Sequence, residues 1–195
     1  MKPAHRLLAL LLLFLSACSS GVASDGTFKP IAAVSAQQAL QLDPKQAWWA
    51  DHRWRYATDE AAEAAFQALL TRESPWPEWH QANVVTLPAG LRFEMALAPG
   101  QGTDRPGAFG TFDRIADVRF VRQSLAVKTA WKPQVDRVVT YEIVDPLPAD
   151  TGMVGPQIDV PANLYLPGGA SQFEMKVPAS ERAGHLRVVA VRPIR

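Results

Sequence analysis

The spacing of apolar positions along the chain changes character twice. Leu7 to Leu15 is an almost unbroken apolar run of nine residues. Between Thr58 and Leu70 the period becomes helical. Ala62, Phe66, Leu69 and Leu70 fall at i, i+4, i+7 and i+8, behind a Thr58-Asp59-Glu60 start that supplies a capping hydroxyl and two acids to the helix N-terminus. This helix is expected to stop at Ser74-Pro75. Ser35 to Leu42 reads as a short helix ending before Asp43-Pro44, and Lys45 to Arg55 as a second helical or irregular piece carrying Trp48, Trp49 and Trp54. Beyond Trp79 the period falls to two. After the turn Leu87-Pro88-Ala89-Gly90, Leu91, Phe93, Met95 and Leu97 alternate with Arg92, Glu94 and Ala96, a half-buried strand. A Gly/Pro-rich loop follows from Pro99 to Gly107, and Val118, Val121 and Leu125 then return to helical spacing near Asp117. Strands resume with Val139, Tyr141 and Ile143 on one face of Arg137 to Val144. Phe173, Met175 and Val177 alternate with Gln172, Glu174 and Lys176, and Leu186 to Val191 forms the last strand. There is no internal repeat. The expected class is α+β, an N-terminal helical layer on a mainly antiparallel twisted β-sheet that begins near residue 84.

Composition narrows the function classes. With 195 residues the chain is long enough to bury roughly 70% of its unfolded surface in one domain. Twenty Lys+Arg against 19 Asp+Glu leave a formal charge of +1, which gives no field for a polyanion, so nucleic acid is not an expected partner. The single cysteine makes neither an internal disulfide nor a Cys-rich zinc site. The 16 prolines and 12 glycines call for many turns and short elements.

The N-terminus carries an address. Lys2 and Arg6 precede the apolar run, which is shorter than the roughly 20 residues of a membrane-spanning helix, and Leu15-Ser16-Ala17-Cys18 follows it. This segment resembles a bacterial lipoprotein signal, cut before the cysteine. The resemblance implies residues 1–17 as signal peptide, acylation of Cys18, and a lipid anchor holding the chain at the cell envelope, periplasmic or outer-membrane associated. Several acyl chains make a durable anchor where one is marginal. Cleavage removes Lys2 and Arg6, so the mature chain would carry 18 Lys+Arg against 19 Asp+Glu and stay close to neutral. Residues 18–29, poor in apolar groups, read as a tether, and residues 30–83 as the helical region.

Generic catalytic signatures are absent: His52, His80 and His185 are scattered, no metal-ligand spacing links them, and there is no nucleophile elbow or phosphate-cradling loop. What stands out is a C-terminal constellation, Gly152-Met153-Val154-Gly155-Pro156-Gln157, then Tyr165-Leu166-Pro167-Gly168-Gly169-Ala170-Ser171-Gln172-Phe173-Glu174. Gly168 and Gly169 allow a sharp turn and a close backbone approach to a ligand. Alternation then sets Gln172 and Glu174 on one strand face while Phe173 and Met175 enter the core. An amide and a carboxylate so placed suit the holding of a ribose hydroxyl and the stabilisation of an oxocarbenium-like centre. A hairpin strand with a solvated polar face satisfies the same spacing.

From Leu87 to the C-terminus the chain resembles the TNT family of NAD glycohydrolase toxins, named for the tuberculosis necrotizing toxin. Carrying the resemblance are Leu87-Pro88-Ala89-Gly90, Gly107-Ala108-Phe109-Gly110-Thr111-Phe112, Val139-Thr140-Tyr141-Glu142-Ile143 before Pro146-Leu147, and Gly152 to Pro156 followed by Gly168-Gly169-Ala170-Ser171-Gln172. It implies a glycohydrolase domain over residues 84–195 that cleaves NAD, and NADP as well, between nicotinamide and ribose. NAD is then the substrate, and neither a metal nor a further cofactor is expected. Gln172 occupies the place of the family's catalytic glutamine and Arg122 that of its arginine. Glu174 would add negative potential, Phe109 or Phe112 would stack on nicotinamide, and Arg122 would meet a phosphate, with Arg114 and Arg105 as further candidates. An immunity-type protein inhibitor is the protein partner implied. Two alternatives stay open. Gln172-Phe173-Glu174 also resembles the Gln-x-Glu triplet of ADP-ribosyltransferases. The dense tryptophans Trp48, Trp49, Trp54, Trp76 and Trp79 would equally suit a non-catalytic lipoprotein that binds a partner.

Overall fold

The computed structural model describes residues 42–195. The signal segment, Cys18, the tether, and all but the last residue of the helix expected over 35–42 lie outside the described residues.

Two helices open the described chain. Helix α1, Pro44–His52, begins where the Asp43 carboxylate accepts the Lys45 amide at 2.9 Å and a proline occupies the first turn. It runs into a 3-10 turn at Arg53–Arg55. Helix α2, Asp59–Leu70, is capped by the Thr58 hydroxyl on the Ala61 amide, as its sequence predicts, and it stops short of Ser74-Pro75. Its buried stripe, Ala62, Phe66 and Leu69, packs with Trp48 around Ile158. No helix among the described residues is long and apolar enough to cross a membrane.

Nine strands follow: β1 Val84–Leu87, β2 Arg92–Leu97, β3 Phe109–Gly110, β4 Arg137–Ile143, β5 Leu147–Met153, β6 Gln157–Asp159, β7 Leu164–Leu166, β8 Ser171–Met175 and β9 Leu186–Pro193. One sheet has the order β1-β5-β8-β3 and a second β2-β4-β9, every pairing being antiparallel. They meet at a seam, where Glu94 and Thr111 exchange both backbone hydrogen bonds at 2.9 and 3.1 Å. The main core lies on one side of this joined surface. Phe93, Met95 and Leu97 meet Val139, Tyr141 and Ile143 there, together with Leu147, Ala149, Phe173 and Met175. Burying each such side chain stabilises the fold by about 1.5–3 kcal/mol. The helical layer of the α+β class rests on the small β6-β7 hairpin, where Ile158 and Tyr165 complete its cluster.

Helix α3, Val118–Gln123, is capped by the Asp117 carboxylate on the Phe120 amide at 2.7 Å. It covers the opposite face of β2 and β4, packing Val121 with Ile115 and Val138.

Candidate active-site cleft

The alternation of β8 decides which side chains can serve a site. Phe173 and Met175 enter the core, so Gln172 and Glu174 emerge on the other face. Gln172 is not solvated there: it is 6% exposed, and its Nε2 has no hydrogen-bond partner among the described residues. A buried amide nitrogen left unpaired costs about 1–3 kcal/mol, so it marks a place where the fold leaves a donor for something else. Gln172 lines a cleft of about 390 Å³, within the roughly 300–1,000 Å³ of small-molecule sites. On the same side β2 contributes Glu94 and Ala96, and Phe109 to Thr111 complete the floor.

The far wall is the segment after α3, contributing Leu125, Val127, Trp131 and Lys132. Polar ties hold this irregular stretch. The Thr129 amide and hydroxyl donate to Asp159 at 2.6 and 2.8 Å, the Trp131 indole to Glu73 at 2.7 Å, and the Lys132 ammonium to the Ala96 carbonyl at 2.6 Å. Burial, followed by the charge of Arg122, pushes the Lys132 pKa down. Between Leu125 and Val127, Ala126 sits in the left-handed region at φ 45°, which costs an L-residue about 1–2 kcal/mol. It is fully buried with Val154 and Leu166, and that packing offsets the strain.

A third element closes the near side. Glu73 and Pro75 line the cleft, and the chain beyond them lies over β5. Trp76 stacks on His80 at 4.1 Å and meets Phe109 edge-on at 6.5 Å. His80 Nε2 lies 3.1 and 3.2 Å from the two Asp150 oxygens, and Asp150 also accepts the Asn83 amide at 2.8 Å. Burial alone would raise the Asp150 carboxyl, but the Asn83 and His80 bonds and nearby positive charge outweigh it and hold it below the ordinary value. Gly152 makes this stack fit, since a Cβ there would come within 2.9 Å of the imidazole and 3.1 Å of the indole.

Of the residues singled out by sequence, the fold brings Gln172 and Phe109 to the cleft lining. The others are engaged elsewhere. Arg122 donates to the carbonyls of Val127 and Pro133 at 2.9 and 3.0 Å, tying the far wall to α3; burial lowers its pKa, opposed by Asp159. Glu174 pairs with Lys176 at 2.6 Å. Phe112 stacks on Phe173 at 4.9 Å, toward the core side. Arg114 and Arg105 are exposed and outside the lining. Gly168 and Gly169 have φ of 75° and 95°. The close approach of Gly168 is to protein backbone: a Cβ there would lie 2.6 Å from the carbonyl oxygens of Val154 and Gly155. Glu94, Trp131, Lys132 and the His80-Asp150 pair are the residues that sequence reasoning missed. Only Glu94 left a signal, as a carboxylate on the face of β2 opposite Phe93 and Met95.

No family model matches the chain, and no curated protein matches it. Among solved structures it is similar to Tne2, solved in complex with Tni2, at 24% identity and a TM-score of 0.52, over 61% of this chain and 97% of that one. Tse6, solved in complex with Tsi6, aligns at 15% identity and a TM-score of 0.41, over 72% of this chain and 90% of that one. Rhs1-CT, in complex with its cognate immunity protein RhsI1, aligns at 17% identity and a TM-score of 0.38, over 58% and 80%. The likeness to Tne2 is one of fold, and it spans nearly all of that chain.

Proposed function

We propose that this chain hydrolyses the nicotinamide-ribose N-glycosidic bond of NAD, and of NADP, releasing nicotinamide and ADP-ribose. One observation carries the reading. Gln172, which stands where the TNT resemblance puts a catalytic glutamine, is buried at the wall of a largely apolar cleft with an unpartnered amide donor.

The chemistry suits this lining. The pyridinium of NAD leaves as neutral nicotinamide, so departure needs no proton donor. The task is to desolvate the ring and to stabilise positive charge on the ribose. Phe109 and Trp131 offer aromatic surface for the ring, and Gln172 Nε2 supplies a hydrogen bond for a ribose hydroxyl or the attacking water. The bond from ribose C1′ to nicotinamide breaks with its electron pair going to nicotinamide. A water oxygen then bonds to C1′ and releases one proton to solvent.

Gln172→Ala tests the assignment. Turnover of a fluorescent NAD analogue should fall by about 10²-fold or more, the usual cost of removing one such donor, while thermal unfolding stays near that of the wild type. Undiminished turnover would remove Gln172 from the reaction. The transferase reading is weakened by Glu174, whose charge is engaged by Lys176 outside the cleft. A partner-binding role is favoured by a separate surface, where Arg55 lies 3.4 Å above the half-exposed Trp79 ring and 5.6 Å from Trp54, which is 77% exposed. Tne2 is solved with Tni2 bound, and for this chain a bound protein partner, an immunity-type inhibitor, is proposed. Anchoring through acylated Cys18 at the cell envelope completes the proposal.

A further inference from the structure

We propose that Glu94 is the carboxylate that meets the ribose of the substrate, opposite Gln172 on the same row of the joined sheets; this rests on the glycohydrolase reading above. Register supports the placement. Glu94 bridges Thr111 across the seam, and Gly110 pairs with Phe173, so the next step of that register brings Thr111 level with Gln172. Two inter-strand spacings of about 4.8 Å put the Glu94 and Gln172 backbones roughly 10 Å apart, with Thr111 between them and all three residues lining the cleft.

The hydrogen-bond inventory is complementary. Glu94 Oε2 accepts the Ile115 amide at 2.7 Å and the Arg192 guanidinium at 2.9 Å. Among the described residues its Oε1 has only the Thr140 hydroxyl, at 3.5 Å, the outer limit of a hydrogen bond. Half of the carboxylate is therefore anchored, and the other half keeps acceptor capacity. Gln172 presents the converse, a buried donor without an acceptor. One hydroxyl of a vicinal diol can accept from Gln172 while its neighbour donates to Glu94, which is the pattern of a ribose and not of a simple apolar ligand. Arg192 also donates to the Ile115 carbonyl, so the carboxylate is held in place before substrate arrives. As the bond to nicotinamide breaks, positive charge grows on the ring beside it, and the attraction strengthens between ground state and transition state. Glu174, the carboxylate that the Gln-x-Glu spacing suggests, is engaged by Lys176 and lies off the lining.

The test is steady-state NAD turnover by the full chain and its Glu94→Gln variant. The expected result is a fall in kcat of about 10²- to 10³-fold with KM within about threefold. Glu94→Asp, which keeps the charge on a shorter stem, should recover part of it. Because Glu94→Gln leaves Arg192 uncompensated, the paired variant Glu94→Gln, Arg192→Gln removes both charges and keeps the fold testable by thermal unfolding. A folded paired variant with the same loss of kcat supports the assignment. Wild-type turnover matched within twofold by both variants overturns the role of Glu94 alone, and so does a rise in KM with kcat intact. No turnover by the wild type overturns both this assignment and the glycohydrolase reading.

Discussion

Replacing Gly168 by alanine should cost far more stability than replacing its neighbour Gly169, although both have positive φ. At either position the left-handed backbone charges an alanine about 1–2 kcal/mol, partly offset by about 0.4–1 kcal/mol from a less flexible unfolded chain. At Gly169 nothing lies within 4 Å of the added Cβ, so the balance is a loss of about 0–1.5 kcal/mol. At Gly168 the Cβ would lie 2.6 Å from two carbonyl oxygens and 2.9 Å from the Gly155 carbonyl carbon, all backbone atoms that cannot rotate away. Overpacking of that kind adds about 1–3 kcal/mol. Relief by movement would stretch the bonds from the Gly168 amide to Gln123 at 2.8 Å and from the Gly169 amide to Val154 at 2.9 Å, each worth about 0.5–1.5 kcal/mol. The expected loss for Gly168→Ala is therefore about 2–5 kcal/mol. With a urea slope of about 2 kcal/mol/M, the midpoint should drop by about 1–2.5 M, against less than about 1 M for Gly169→Ala. Equal midpoints for the two variants would refute the reasoning that the first glycine is there to pass the Val154-Gly155 backbone.

Further outcomes follow from single observations. Burial holds the His52 pKa below 6.5, although the Trp48 carbonyl and Asp51 act to raise it. The unfolded chain takes that proton first, so stability is full above pH 6.5 and falls as pH drops from 6.5 toward the folded value, a slope that thermal melts should show and His52→Gln should flatten. The lowered carboxyl of Asp150 adds a separate stabilising contribution, fully present above its ordinary 3.8 and lost as pH falls from there through the folded value; Asp150→Asn should remove that second slope. Phe66→Ala, emptying the cluster around Trp48, should cost about 3–5 kcal/mol in urea denaturation. Arg122→Ala should cost about 1–3 kcal/mol by releasing the Val127 and Pro133 carbonyls, and should raise KM for NAD by loosening the far wall. Cys18→Ser should abolish incorporation of labelled fatty acid into the chain and its recovery with membranes.

What the sequence disclosed, and what it hid, divides along physical lines. Local period and local capping were legible, because they depend on neighbours: Thr58 caps α2, Asp117 caps α3, and the alternations of β2, β4 and β8 put their apolar residues in one core. Strand β5 was hidden because Pro148 and Gly152 interrupt its alternation, and because Asp150 is a buried acid on a face that reads as polar loop. Its partner His80 lies 70 residues away, so no spacing rule connects the two. The glycine pair was legible as a turn, whereas its obligatory neighbour, the Val154-Gly155 backbone, comes from another strand connection. The candidate site shows the same division more sharply. Gln172 was found because it sits in a recognisable local string. Glu94 contributes to the same cleft only because β2 and β3 join two sheets at the Glu94-Thr111 bridge. A site built on a seam draws one side chain from each sheet, and no local pattern in either sheet announces the other. The register across that seam therefore makes a linked claim: disrupting the bridge should displace Glu94 from Gln172 even with both side chains retained. Thr111→Pro, which removes the amide donor to the Glu94 carbonyl, should lower NAD turnover with both residues intact, and turnover unchanged in a folded variant would argue against a site shared by the two sheets.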